Sequence, residues 1–270
     1  MNEGTAKSSE ASATLPPFVR PGFNNIAPYI VVNGAARFIE FLKAAFQGNE
    51  RLRVPRPDGA VMHAEIGIGN SVIELADASE QHPPRQATIH LYVDDADAAY
   101  ERALRAGATS IYSVHDHVSG DRQGCVKDEF GNVWYIAMAK WEPGPEGIRS
   151  VQPYLHLHGA EKMIPFAEAA FHAETLGVAK SPEGKILHAT IKIGHATFEI
   201  DEAYGEFQPV PCYLHVYVPD TDARYADATS AGAASVEPPA TKPYGERSAA
   251  VKDPFGNTWF LATYLGSTGA

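Results

Sequence analysis

The spacing of apolar and polar positions along the first third of the chain changes from strand-like to helical and back. Residues 29–32 are β-branched or aromatic and predict a strand. In Ala35–Phe46 the apolar side chains recur at helical spacing and fall on one face. Residues 51–56 and Val61–Ile68 flank the turn tripeptide at 57–59 and predict a hairpin. This region therefore predicts a strand, a helix and then further strands.

The same order follows downstream. Asp94 or Asp95 can cap a second helix over 96–106, and Gly107 ends it. The remaining predicted strands are 72–76, 88–93, 110–114, 124–127 and Val133–Met138. The pattern thus predicts two successive units of one strand, one helix and three strands, written βαβββ below.

An internal repeat organises the whole chain. Pro28-Tyr29 recurs as Pro153-Tyr154, and KDEFGNVW at 127–134 recurs as KDPFGNTW at 252–259. These matches share one offset of 125 positions (259 − 134 and 154 − 29), with no gap between them. Two copies of one fold are therefore predicted. We expect a flexible tail over 1–24, a first domain over 25–140, a linker over 141–150 and a second domain over 151–266.

The amino-acid composition excludes several classes of protein. The 270 residues are 44% hydrophobic, which excludes a wholly disordered chain, and the formal charge of −11 argues against binding to duplex nucleic acid. Two cysteines exclude a disulfide scaffold and a cysteine-rich metal site. No apolar run is long enough to cross a bilayer, and residues 1–24 lack the apolar core of a secretory signal. A cytoplasmic protein without membrane contact is expected.

Four motifs occur in order: PYIVVNGAARFIEFLKAAF, RPDGAVMHAEIGIGNSVIELAD, TIHLYVDDADAAYERALRAGAT and DxFGNxW. Together they resemble the vicinal oxygen chelate superfamily of glyoxalases, bleomycin-resistance proteins and extradiol dioxygenases, and within it the PhnB-like branch. The resemblance implies an α+β fold of four βαβββ modules that form incurved mixed sheets with helices on the convex face. It also implies that the modules pair either side by side or by exchange between the copies.

Members of this superfamily often bind a divalent metal through side chains on the first and last strands of each module. The residues at these positions are Ala27, Glu74, His90 and Tyr135 in the first copy and Gln152, Glu199, His215 and Phe260 in the second. The last position is aromatic in both copies, which favours a module that binds a small organic molecule without the full metal-ligand set. The alternative is a lyase, isomerase or dioxygenase that uses Gln152, Glu199 and His215 to hold Zn, Ni, Mn or Fe.

The pairing of modules decides which of these residues meet. Exchange between the copies would combine Glu74 with His215 and Glu199 with His90. Each Glu–His pair can also be a structural hydrogen bond between two buried groups. Because the dimer-like contact is already internal, a pseudo-twofold monomer is expected, with a dimer as the other outcome.

Other side chains are candidates for a ligand pocket. Alternation along 212–218 places Tyr213, His215 and Tyr217 on one strand face. Candidate lining residues on this and neighbouring strands are Tyr92, Tyr213, Tyr217 and His156, and Trp259 adds flat apolar surface. The tract with His115 and His117 is predicted to be a loop, and Asp128 and Asp253 are predicted to cap tight turns.

Overall fold

The computed structural model describes residues 16–117, 120–139 and 148–266, and the order strand, helix, three strands occurs four times in them. The helices are α1 Ala35–Phe46, α2 Ala96–Arg105, α3 Met163–Phe171 and α4 Thr221–Ser230, with a short 3₁₀ helix at Ala160–Lys162. The strands are β1 Ile26–Val32, β2 Asn49–Pro55, β3 Val61–Ile68, β4 Ser71–Asp77, β5 Thr88–Tyr92, β6 Thr109–Asp116, β7 Arg122–Lys127, β8 Val133–Met138, β9 Val151–Leu157, β10 Glu174–Lys180, β11 Ile186–Ile193, β12 Ala196–Glu202, β13 Tyr213–Tyr217, β14 Ala234–Lys242, β15 Glu246–Lys252 and β16 Thr258–Tyr264. The predicted α+β fold of βαβββ modules is confirmed. Within the described ranges, no helix has the length and apolar character needed to span a bilayer.

The strands form two eight-stranded mixed sheets, each built from both repeats. The first sheet has the order β14-β15-β16-β13-β1-β4-β3-β2, and the second has the order β10-β11-β12-β9-β5-β8-β7-β6. Antiparallel pairing of β1 with β13 places Ala27 opposite His215, and pairing of β5 with β9 places His90 opposite Gln152. Of the two arrangements left open by the sequence, the chain therefore adopts the exchange between copies.

The hydrophobic cores, in contrast, form largely within each repeat. Helices α1 and α2 contact each other, and the first core includes Phe38, Leu42 and Trp134. The second core lies under α3 and α4 and includes Phe198 and Trp259. Helices therefore cover one face of each sheet, and the opposite face is called the inner face below.

The repeated DxFGNxW motif is a structural turn. The Asp128 carboxylate accepts hydrogen bonds of 2.9 Å from the backbone amides of Phe130 and Asn132 and from Trp134 Nε1. Asp253 makes the same set of bonds in the second repeat. The prediction that these carboxylates cap tight turns is confirmed.

Residues 16–24, here called the N-terminal segment, cover the inner face of the first sheet. Val19 and Phe23 are buried there against Tyr217. Arg20 reaches the buried Glu65 carboxylate, with 2.7 Å between Nη1 and Oε1. Of the predicted tail, the first 15 residues lie outside the described residues, as does most of the predicted linker, 141–147.

Candidate functional site

Each inner face carries one Glu–His pair whose partners come from different repeats. On the second sheet, His90 Nδ1 lies 2.7 Å from Glu199 Oε2, and on the first sheet His215 Nδ1 lies 2.6 Å from Glu74 Oε2. All four side chains are buried or nearly so. Gln152 joins the second sheet beside His90. The structure therefore brings Gln152 and Glu199 together with His90 and places His215 in the other sheet.

Electrostatics favour the charged form of one residue in each pair, Glu199 and His215. Burial opposes a charge on Glu199, but His90 and His188 outweigh it and lower the pKa of this carboxyl to about 2. Burial also lowers the pKa of His215, yet the adjacent Glu74 carboxylate raises it by more, so the net pKa lies above the usual value for histidine. Glu199 is therefore an anion at neutral pH, and His215 holds its proton more strongly than a free histidine does.

Two buried polar atoms distinguish the second sheet. Gln152 is fully buried, and its Oε1 accepts a hydrogen bond from the Thr197 hydroxyl. Gln152 Nε2 and His90 Nε2 are buried without a hydrogen-bond partner among the described residues. Such atoms are rare in folded proteins and call for an explanation. On the first sheet the position of Gln152 is held by Ala27, which has no polar side-chain atom.

Aromatic rings surround these atoms. Tyr92 stacks on the His90 ring with 4.4 Å between centroids, and the Tyr154 ring lies 6.4 Å from His90. From the loop after β12, Phe207 lies 5.6 Å from the Tyr135 ring. The inner face of the second sheet thus combines flat apolar surface with buried polar atoms.

The predicted lining residues divide between the two sheets. Tyr92 and His156 lie on the inner face of the second sheet, and Tyr213 and Tyr217 lie on that of the first. Tyr217 is covered by Phe23 at 5.6 Å between centroids, and its hydroxyl donates to Glu246.

Two minor predictions are wrong. Trp259 was expected on the ligand face but lies in the second core, where its ring packs 4.5 Å from Phe171, because the helix-facing positions of β16 alternate with the inner ones. His115 was expected in a loop but lies in β6, which pairs with β7 through a register of His115 with Gln123.

The donor atoms do not fit a divalent metal ion. On the second sheet, the imidazole of His90 and the carboxylate of Glu199 bond to each other, and the third candidate, Gln152, offers only a neutral amide. The aromatic fourth position is Tyr135, whose pKa is raised by burial and, to a smaller extent, by the nearby Cys125 thiol and Tyr154 phenol, so the Tyr135 phenol is neutral. Among the described residues, no group of three or more His, Cys, Asp or Glu is placed to hold a metal.

The first sheet is poorer still in metal donors. Ala27 and Phe260 occupy two of its four positions and supply no ligand atom. The remaining residues, Glu74 and His215, bond directly to each other.

His188, on β11, is also part of the site. Its Nε2 lies 3.7 Å from Glu199 Oε1. Burial lowers the pKa of His188, but Glu199 raises it by more. Only the alternation of β11 signals this position, since it puts His188 on the inner face.

Two cavities lie away from both inner faces. One, of about 510 Å³, is lined by Ala36, Phe41 and Ala106 on the outer side of α1. The other, of about 540 Å³, lies between the loops that contain Arg85 and Pro211. Neither cavity is lined by the polar and aromatic residues on the inner face of the second sheet.

Comparison with known proteins agrees with the fold and the repeated motifs. A model of the glyoxalase/bleomycin resistance protein/dioxygenase superfamily matches residues 22–136. Uncharacterized proteins of Mycobacterium bovis and Mycobacterium tuberculosis are each 36% identical to this chain over 136 residues. The matched region covers 46% of this chain, 90% of the M. bovis protein and 80% of the M. tuberculosis protein. The chain belongs to this superfamily. Glyoxalase I from Zea mays superposes with a TM-score of 0.69 and 16% identity over 88% of this chain and 92% of its own. At that identity the likeness to this superfamily member shows the fold alone.

Proposed function

We propose that the inner face of the second sheet binds a small aromatic molecule that carries a polar group, without a metal ion. The observation that carries this proposal is the pair of buried atoms Gln152 Nε2 and His90 Nε2, which have no partner among the described residues. A buried polar atom left unpaired costs about 1–3 kcal/mol. A ligand oxygen that accepts a hydrogen bond from Gln152 would recover part of that cost.

The neighbouring rings support an aromatic ligand. Tyr92, Tyr135 and Tyr154 surround His90 with centroid distances between 4.4 and 6.4 Å. An aromatic pair contributes about 0.5–1.5 kcal/mol beyond the burial of its area. A flat ring with one polar substituent therefore matches both the apolar and the polar parts of this face.

The first sheet serves as an internal reference for the second. It keeps the Glu–His pair but has Ala27 where the second sheet has Gln152. The N-terminal segment also covers this face through Phe23 and Arg20. We therefore propose one ligand face per chain.

Access to the second sheet requires movement of a side chain in the loop after β12. Phe207 covers both Tyr135 and His156, with 5.3 Å between the Phe207 and His156 rings. Tyr204 of the same loop is 57% exposed, and two backbone hydrogen bonds and a ring contact join it to Phe207. Displacement of Phe207 would uncover the aromatic rings.

Ligand-observed NMR with p-nitrophenol tests the proposal, because this probe has one flat ring whose hydroxyl and nitro oxygens can accept hydrogen bonds. We expect saturation transfer from the unmodified protein, and its loss in Gln152→Leu and His90→Gln. His215→Gln is the matched control, because it breaks the equivalent ion pair on the first sheet and leaves the second sheet intact. Equal transfer in all four proteins, or none in any, would contradict the proposal.

Two finer predictions from the sequence accompany this proposal. The motifs support membership in the PhnB-like branch, and the composition of residues 1–24 supports a cytoplasmic location. Both stay predictions.

A further inference from the structure

Three inner-face residues of the second sheet form a continuous chain of hydrogen bonds. His156 Nδ1 lies 2.6 Å from Asp201 Oδ1, and His156 Nε2 lies 3.3 Å from the Tyr135 hydroxyl. The three side chains come from β9, β12 and β8 and are all buried. Tyr135, His156 and Asp201 are called the triad below.

The carboxylate fixes the orientation of the imidazole. Asp201 Oδ2 accepts a 3.1 Å hydrogen bond from the Tyr154 hydroxyl, so both of its oxygens have partners. An anionic acceptor at Nδ1 favours the tautomer with the proton on that nitrogen. The lone pair of His156 Nε2 then faces the Tyr135 hydroxyl. An acid, a base and a hydroxyl in this order are the parts of an activated nucleophile.

The internal repeat shows that the fold does not require the triad. At the equivalent positions of the first sheet, offset by 125, the residues are all apolar: Val31, Ala76 and Phe260. The two sheets share their strand order and their Glu–His pair. All three members of the triad are thus present on one sheet and absent from the other, as expected for a unit with one chemical role.

A hydrogen-bond donor for a developing oxyanion lies in the same row of the sheet. Tyr135 pairs in register with His90, and His90 pairs in register with Gln152. The Cα atoms of Tyr135 and Gln152 are therefore two strand spacings apart, about 10 Å, which long side chains and a small ester can bridge. Gln152 Nε2 is buried and unpaired, and it carries hydrogens in every protonation state of the site.

We infer that the triad is an acyl-transfer centre that hydrolyses small aryl esters, with Tyr135 as nucleophile, His156 as base and Asp201 as positioning residue. This inference rests on the proposed ligand face. Tyr135 Oη forms a bond to the ester carbonyl carbon while its proton moves to His156 Nε2. The carbonyl oxygen becomes an oxyanion near Gln152 Nε2. The bond to the leaving oxygen then breaks, and His156 returns the proton to that oxygen.

Hydrolysis of the acyl-tyrosine completes the cycle. Water gives a proton to His156 and attacks the acyl carbon, and the phenolic oxygen of Tyr135 leaves. The products are a carboxylic acid and an alcohol or phenol, and the phenol of Tyr135 regains its proton from His156. The net reaction consumes one ester and one water.

Reaction with p-nitrophenyl acetate tests this inference in the full chain. We expect release of p-nitrophenolate and an acetyl group on Tyr135 in the mass spectrum of the digested protein. Tyr135→Phe should abolish that label, and Asp201→Asn should slow it at least tenfold. His156→Gln keeps a hydrogen-bond acceptor for the hydroxyl but cannot take its proton, so it should also lose the label while remaining folded. Tyr29→Phe, which removes a phenol from the first sheet, should change nothing.

Several results would overturn the inference. One is the absence of acetyl-Tyr135 in the unmodified protein, including a label found only on lysines or the amino terminus. Another is labelling of Tyr135 at the unmodified rate in folded Asp201→Asn or His156→Gln. If p-nitrophenol still binds in the NMR experiment, such a result removes the triad and leaves the proposed ligand face standing. If p-nitrophenol does not bind, both proposals fail.

Discussion

Glu74 and His215 form a 2.6 Å hydrogen bond although 141 residues separate them in the chain. Their counterparts on the second sheet, His90 and Glu199, are 109 residues apart. Each bond connects one sequence repeat to the other at the centre of a sheet. Both inner faces are therefore products of the exchange between copies.

A double-mutant cycle on Glu74 and His215 tests this exchange between copies. Glu74→Gln and His215→Gln should each lower the free energy of unfolding by about 1–3 kcal/mol, because each leaves a buried partner unpaired. The double variant should lose less than the sum of the two, since one change already breaks the bond. Urea unfolding of the four proteins gives the coupling free energy. The pair Glu74→Gln and His90→Gln is the control and should be additive within about 0.5 kcal/mol. Coupling of Glu74 to His90 instead of His215 would refute the exchange.

Stability should also depend on pH through His215. Burial lowers its pKa, but Glu74 and Glu246 raise it by more, against the opposing charge of Arg20. Because the pKa of His215 is higher in the folded state than in the unfolded state, its protonation stabilises the folded protein. This contribution is complete below the unfolded-state pKa of about 6.5 and is lost as the pH rises through the folded-state pKa. As the pH rises above about 6.5, the unmodified protein should therefore lose more stability than His215→Gln. Identical losses in the two denaturation series would show that His215 does not carry this dependence.

The packing of the N-terminal segment on the first sheet should depend on Arg20. Arg20→Met removes the cation beside the buried Glu65 carboxylate. We expect the N-terminal segment to open more often, so the Tyr264 amide, which donates to the Phe18 carbonyl, exchanges with deuterium roughly tenfold faster. Hydrogen-exchange mass spectrometry reports this rate. Arg53→Met, which removes an exposed pair with Glu50, is the control, and equal exchange in both variants would argue against the role of Arg20.

The helices and strands could be predicted from local sequence patterns, but the pairing of strands across the two repeats could not. Helix Ala35–Phe46 and strands Val61–Ile68 and Val133–Met138 have the predicted bounds, since apolar spacing and turn residues decide them locally. The choice between β13 and β5 as partner of β1 is different, because the repeats place a histidine at the same position of both candidate strands. The local pattern is the same for either pairing, and only the assembled structure distinguishes them.

For the candidate site, too, local sequence predicts which face a residue lies on but not which residues it contacts. Alternation is enough to put Glu199, Asp201 and His156 on inner faces, because each strand exposes every second residue to one side. The joining of Tyr135 to His156 and Asp201 depends on the register of three strands, which local sequence does not encode. Similarly, Val19 and Phe23 lie among Pro, Gly and Arg without periodicity, and their burial against the first sheet follows from tertiary contacts alone.

The ligand face proposed on the second sheet works without a metal ion. Calorimetric titration of p-nitrophenol tests this proposal, with one sample treated with EDTA and another supplied with one equivalent of zinc. We expect one site per chain and the same affinity in both samples, because Gln152 and the aromatic rings are proposed to contact the ligand themselves. Binding that occurs only in the sample with zinc would refute a metal-free ligand face and would make Gln152, Glu199 and His90 metal ligands.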